Sequence, residues 1–268
     1  ESIFIAAMLV KYGREYSELC ERLGQHDEAG RVSQAVDSMT TTIEEHSWDG
    51  EWFLRAYDAT GKAMGSKENE EGKIFIETQG FAIMAGVGID DGKAMSALDA
   101  VGEHLACEYG IVLNYPAFSR YHLEYGEIST YPQGYKENGG IFCHNNPWII
   151  IGESILGRGE KAFDYYTRIA PAWQKDVTLH KTEPYVYSQM IAGKQAALPG
   201  EAKNSWLTGT AAWNFHAVAE HILGIKPGFD GLQIDPCIPP DWNGYGVRRK
   251  CRGATCDICI SNPPGISR

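Results

Sequence analysis

The chain has 268 residues, 43% of them hydrophobic and 11% aromatic, enough for one sizeable core or for one domain and part of another. A formal net charge of -11 excludes a nucleic-acid or anionic-membrane partner, since Arg248-Arg249-Lys250 is too short a basic run to offset it. No apolar run is long enough to span a bilayer, and seven cysteines without a recognisable signal peptide predict reduced thiols and a cytoplasmic location.

In chain order, Phe4, Met8, Tyr12, Tyr16, Leu19 and Leu23 recur at steps of three and four and predict a helix, which Gly24-Gln25-His26 breaks. Asp27 is placed to cap a second helix, in which Val32, Ala35, Val36, Met39 and Ile43 share a face. A polar loop rich in Gly and Asp follows, from about Ser47 to Lys73. The plan then repeats twice. Helices are predicted over Ile76–Val87 and Lys93–Cys107, joined by Gly88–Gly92. After a loop over Glu108–Gly139, two more span Ile141–Leu156 and Lys161–Ile169, joined by Gly157-Arg158-Gly159. A third loop runs to about Asn204, and a seventh helix covers Thr208–Leu223, ended by Gly224 and Pro227. Short strands follow at Leu232–Ile234, Tyr245–Lys250 and Ala254–Ile260. Cys256 and Cys259 lie three apart in the last of these, on opposite faces of a strand, so no metal site is expected.

Short turns alternate with long loops, which places every long loop at one end of a set of antiparallel helix pairs. The reading is mainly α: an α/α toroid over residues 1–224, half of an (α/α)6 barrel, then the start of an incomplete C-terminal β-sandwich over 225–268. An α-solenoid is the structural alternative, without a repeat consensus to support it.

The long loops hold the chemistry. Thr208 and Gly209 stand where the seventh helix begins, and a helix N-terminus binds anions through free N–H groups and its dipole; a plain Thr cap is the alternative. His144, read as lying in the first turn of its helix, is either structural or a donor, neutral or cationic, to a phosphate. Lys136 and Glu137 sit among Gly134, Gly139 and Gly140, as a solvated pair or as a loop brought close to something else. Asp49, between Trp48 and Trp52, binds sugar or satisfies loop amides.

The string Tyr-Pro-Gln-Gly-Tyr-Lys-Glu-Asn-Gly-Gly-Ile-Phe-Cys-His-Asn-Asn-Pro-Trp (Tyr131 to Trp148) resembles the signature of cellobiose phosphorylases and their chitobiose and cellodextrin relatives, glycoside hydrolase family 94. Trp48–Arg55, Glu183–Gln189, Lys203–Thr210 and Gly231–Pro239 match the same family in the same order. The resemblance implies an α/α toroid and an inverting phosphorolysis. Inorganic phosphate, a co-substrate and not a cofactor, attacks the anomeric carbon of a β-linked disaccharide and transfers the hexosyl group to an α-sugar 1-phosphate. It implies His144, Thr208 and Gly209 as phosphate ligands, and Tyr131, Lys136, Glu137 and Gln189 as the lining of the sugar subsites. Cellobiose is the expected substrate, with chitobiose and cellodextrins as alternatives, a homodimer is common in the family, and no metal is implied.

One departure stands out. The family's general acid is the last Asp of an Asp-Trp-Asn-Asp motif that precedes a helix like the first one here. The near match Asp241-Trp242-Asn243-Gly244 lacks that Asp and falls in the strand-rich tail. The expectation is therefore that the acid lies upstream of Glu1, together with a β-domain, the first toroid helices and some phosphate-binding arginines, and that the chain is a fragment inactive alone. Two other classes compete: a water-using α/α-toroid hydrolase with Asp49 or Glu137 as its acid, and a non-catalytic carbohydrate-binding module with tryptophans as its platform.

Overall fold

The computed structural model describes residues 1–263. The last five positions of the predicted sandwich segment, 264–268, lie outside the described residues.

Helix α1 spans Ile3–Arg22 and is capped by Ser2, whose Oγ accepts from Ile5 N at 3.4 Å. Helix α2 spans His26–His46. Its cap is Gln25, without a side-chain bond, so Asp27 is not the cap; it sits in the first turn, where a carboxylate favours the helix dipole. Helices α3 (Ile76–Met84) and α4 (Lys93–Ala100) follow, the latter continuing as a π-helical turn over Val101–Leu105. Next come α5 (Asn146–Ile155), α6 (Gly159–Ile169) and the single turn α7 (Val177–His180). Helix α8 (Thr210–His216) runs on as a π-helical stretch over Ala217–Ile222. No helix among the described residues is long and apolar enough to cross a membrane.

Burial separates an inner from an outer set. Every residue of α3 from Ile76 to Ile83, and of α5 from Asn146 to Ser154, is buried, whereas α2 buries only Ala29, Val36 and Ile43. Helices α1, α3, α5 and α8 pack in succession, α2 backs α1, and α6 backs α5. This is the α/α arrangement expected from alternating loop lengths. Helix α1 keeps its predicted face at Phe4 and Met8, which pack on the core, and departs from it beyond them. It buries Ile3, Ala7, Val10, Gly13, Ser17 and Cys20, and leaves Ile5, Leu9, Tyr12, Tyr16, Leu19 and Leu23 exposed as an apolar stripe. Small residues mark the buried side because α2 lies so close: a methyl group at Gly13 would come within 2.6 Å of Val36 Cγ2.

The third long loop contains structure that the periodicity does not reveal. A three-stranded antiparallel sheet joins Ile141–Phe142 to the middle strand Ser188–Ile191 and then to Ala202–Ser205. The predicted helix over Ile141–Leu156 therefore opens with a strand and a turn. After α8, Ile225–Pro227 pairs with Leu232–Ile234, and Gly244–Cys251 with Ala254–Ser261, as two antiparallel ribbons.

At the short-turn end of α5, Glu153 is fully buried against Arg158 Nε at 2.8 Å, and Arg158 also holds Asp99 at 2.7 Å. Burial outweighs that cation and pushes the Glu153 carboxyl up to about 7. A raised folded pKa means that the native state binds the extra proton, so stability falls as pH rises from the unfolded value of about 4.3 through 7. Glu153→Gln is thus expected to raise Tm at pH 8 and to leave it nearly unchanged near pH 4.5, as thermal melts at the two pH values will read.

Candidate active site at the mouth of the helix ring

One aromatic residue from each inner helix meets in a single layer. Phe81 of α3 lies 4.7 Å from Trp148 of α5 and 5.0 Å from Phe4 of α1, centroid to centroid, and Trp213 of α8 is 5.8 Å from Trp148. Edge-to-face contacts dominate, which lock the four helices in register. That layer fixes what lies one turn toward each N-terminus. Three and four residues before Phe81 are Thr78 and Glu77; before Trp148 they are Asn145 and His144; before Trp213 they are Thr210 and Gly209. Ser2, the cap of α1, precedes Phe4. Four helix N-termini, each the positive end of its helix dipole, thus open at one mouth above an aromatic floor; Ile3 N, Ile5 N, Ile76 N and Thr210 N there already donate to Arg55 O, Ser2 Oγ, Leu113 O and Thr208 Oγ1.

Polar atoms gather there. Among the described residues, Glu77 Oε2, Thr78 Oγ1, Glu137 Oε2, Asn145 Oδ1, Trp148 Nε1 and Asn214 Oδ1 are buried without a hydrogen-bond partner. Such atoms are uncommon in a native protein and a ligand at this mouth would satisfy them; Asn114 Nδ2, Tyr165 OH and both carboxylate oxygens of Glu153 are also buried without a hydrogen bond, on other parts of the fold. Glu77 has Arg55 Nε 3.5 Å from its other oxygen, and burial raises its carboxyl above the usual range despite that charge.

His144 is not in a helix. The helix starts at Asn146, and His144 occupies the preceding turn, because the chain must first leave the strand Ile141–Phe142. Its ring packs edge-on against Phe142 at 5.5 Å and Trp148 at 5.8 Å, and burial holds the imidazole below its ordinary pKa, so it is neutral at pH 7. Cys143 N donates to Gln189 O at 2.9 Å, which sets His144 beside the middle strand.

Thr208 is not the cap of α8. Gly209 is, and the helix opens at Thr210. Thr208 Oγ1 accepts from Thr210 N at 3.1 Å and lies 2.5 Å from Thr210 Oγ1, which in turn donates to Ser188 O at 3.3 Å. The hydroxyl therefore covers one N–H of the first turn, as a capping Thr would, from one residue further out. Through Ser188 and Gln189, the N-terminal end of α8 and the His144 turn are tied to the same strand.

Three of the sugar-side candidates, Tyr131, Lys136 and Glu137, share one loop, and Gln189 meets it from the middle strand. Lys136, at φ +50°, donates from Nζ to Gln189 Oε1 at 3.1 Å. Tyr131 OH donates to Glu127 Oε1 at 3.2 Å, and the carboxylates of Glu127 and Glu137 hold its phenol above its ordinary pKa. Asn138, which the sequence reading passed over, organises this loop: its Nδ2 donates to Tyr131 O at 2.7 Å and Phe118 O at 2.8 Å, and its Oδ1 accepts from Phe118 N at 2.7 Å. Gly134 is needed because its backbone touches another backbone; a methyl group there would lie 2.2 Å from Ala196 N.

Other candidates fall elsewhere. Asp49 accepts from Ser66 Oγ at 3.1 Å and Lys67 N at 2.6 Å, so it satisfies its own loop. Trp52 is buried with Nε1 on Gly65 O and Lys73 O, which removes it from any binding platform, and the half-buried Trp48 packs edge-on against Phe53 at 5.1 Å. Trp242 of the near-match motif packs on Phe163 of outer helix α6 at 5.0 Å, away from the aromatic layer.

With this geometry in place, residues 1–224 match the family model described as glycosyl hydrolase 94 superfamily, catalytic domain. The chain belongs to the glycosyl hydrolase 94 superfamily. Among curated relatives, it is 38% identical to N,N'-diacetylchitobiose phosphorylase of Vibrio proteolyticus over 95% of this chain and 32% of that protein. It is 40% identical to the Vibrio furnissii protein of the same name over 92% of this chain and 32% of that one. It is also 32% identical to solabiose phosphorylase of Paenibacillus borealis over 98% of this chain and 34% of the relative. The chain thus spans about a third of the length of these superfamily members. A solved structure titled sialidase superposes with a TM-score of 0.66 at 12% identity, over 97% of this chain and 23% of that one, a likeness of fold alone.

Proposed function

We propose that the full-length protein cleaves a β-linked disaccharide by phosphorolysis, with inorganic phosphate as co-substrate and no cofactor. The observation that carries this reading is the set of helix N-termini, His144 and unpaired polar atoms over one aromatic floor, beside the loop that holds Lys136 and Glu137 and the strand that holds Gln189.

The chemistry follows from the charges. Phosphate is an anion and already a nucleophile, so the site needs donors to hold it, not a base to activate water. The first turn of α8, with Thr208 and Gly209, supplies N–H groups and a positive dipole end, and His144 adds a ring N–H. Attack at the anomeric carbon from the face opposite the leaving sugar forms the bond to phosphate as the glycosidic bond breaks, the departing oxygen taking a proton from a general acid that lies outside this group of residues, and a β linkage becomes an α-sugar 1-phosphate. Tyr131, Lys136, Glu137 and Gln189 orient the sugars through hydroxyl contacts. Asp49, bound to its own loop, is no candidate for the acid of a water-using alternative.

For the disaccharide, the Tyr-Lys-Glu-Asn-Gly string points to cellobiose, whereas the two relatives at 38% and 40% identity are N,N'-diacetylchitobiose phosphorylases. We place N,N'-diacetylchitobiose first and cellobiose second. The test incubates the full-length protein with each sugar, with and without phosphate, and assays sugar 1-phosphate. Cleavage only with phosphate, faster on the acetylated sugar, is expected. Hydrolysis at an equal rate without phosphate would establish a glycosidase instead.

A further inference from the structure

Two donors meet at one acceptor beside the site: Lys136 Nζ lies 3.1 Å, and Asn204 Nδ2 3.0 Å, from Gln189 Oε1. An ammonium group carries donors only, so the Gln189 atom that faces Lys136 must be its oxygen. The second neighbour of that oxygen must then also donate, which fixes the Asn204 amide with its NH2 toward Gln189. From this geometry we infer that Asn204 is a positioning residue: together with Lys136 it locks the Gln189 amide so that only Nε2 remains for a ligand. Gln189 therefore recognises a hydrogen-bond acceptor, a hydroxyl or ring oxygen of the sugar, and takes no hydroxyl proton.

The backbone gives Asn204 a second reason for its identity. Its φ is +56° and that of Lys136 is +50°, two of the five non-glycine residues with positive φ among the described residues. Asn tolerates the left-handed region better than other non-glycine residues, and strained backbone of this kind persists where the surroundings over-determine it. Position 204 therefore requires both left-handed backbone and an NH2 donor. Asp keeps the first and reverses the second; Gly keeps the first and removes the side chain.

This inference rests on Gln189 lining the sugar subsite, and its test separates the two claims. In the full-length protein at saturating phosphate, Asn204→Asp sets a carboxylate against Gln189 Oε1 and competes for Lys136. KM for the disaccharide is expected to rise about tenfold or more, with kcat within about threefold and KM for phosphate unchanged. Asn204→Gly, in which Lys136 still holds the amide, should raise it about threefold. In a Gln189→Ala background, Asn204→Asp should add nothing, a non-additivity that a purely structural role would not produce. Unchanged disaccharide KM in both single variants of an active enzyme, or additive losses in the double variant, would overturn the inference alone. Absence of phosphate-dependent cleavage by the unsubstituted protein would overturn it and the functional reading together.

Discussion

Replacing His144 with alanine in the full-length protein is expected to lower kcat/KM for phosphate by about 10²–10³, the usual cost of removing one preorganised donor from a charged transition state. Thr208→Val should cost about tenfold, since a hydroxyl that also serves the first turn of α8 through Thr210 N contributes roughly one hydrogen bond. In both variants, KM for the disaccharide should move by less than about threefold, because neither side chain belongs to the Lys136–Gln189–Asn204 group. Equal losses for phosphate and sugar would count against the assignment. The pH dependence has a definite sign. Burial depresses the His144 pKa, so the ring is neutral at pH 7 in the absence of an anion. An anion beside it favours the protonated form, so binding takes up a proton and affinity rises as pH falls, levelling off once the free site is also protonated. Sulfate keeps its charge between pH 5.5 and 8 and is the anion to titrate; His144→Ala should flatten the slope.

A substitution outside the polar site should be nearly as damaging. A methyl group at Gly80 of α3 would come within 2.7 Å of Trp148 Cβ, 3.1 Å of its carbonyl carbon and 3.3 Å of its carbonyl oxygen. The obstacle is backbone and Cβ of α5, not the far end of a flexible chain, so the two helices must separate. Gly80→Ala gains about 1 kcal/mol of helix propensity and loses about 1–3 kcal/mol or more to overpacking, a net loss, and Gly80→Val should cost more. The same separation spreads Phe81 from Trp148 and shifts His144 and Asn145 against Glu77 and Thr78, so phosphate KM should rise as Tm falls. Gly30→Ala on α2 is the control: nothing lies within 4 Å of that added methyl group, and its Tm should rise. Denaturant melts of the three variants check the order, and a stable Gly80→Val protein with normal phosphate KM would contradict the packing account.

Much of this was legible in the sequence, for reasons that can be named. Helix pairs and loop lengths survive in the pattern because apolar periodicity and Gly or Pro breaks are local. Thr208 and Gly209 were found within two residues of the true helix start for the same reason. The strand Ile141–Phe142 was hidden because its apolar run continues without a break into that of α5. The strands Ser188–Ile191 and Ala202–Ser205 pair with each other across a loop, but they read as loop because the polar run Ala202–Ser205 has no apolar alternation and the other partner of the middle strand, Ile141–Phe142, is far away in sequence. On α1, the predicted face holds only at the start, where Phe4 and Met8 pack on the core; further along, contact with α2 favours small residues and leaves Tyr12, Tyr16, Leu19 and Leu23 exposed. The aromatic floor was out of reach: Phe4, Phe81, Trp148 and Trp213 come from four helices, and no spacing rule links them. Asn138 and Asn204 were visible only as polar loop residues, and their roles depend on partners that the fold brings to them.

The most direct measurement is a crystal structure of the full-length protein soaked in phosphate. An ion within about 3 Å of both the His144 ring and the N–H groups that open α8 is the predicted result. Phosphate bound at another place while the disaccharide lies against Lys136 and Gln189 would contradict it.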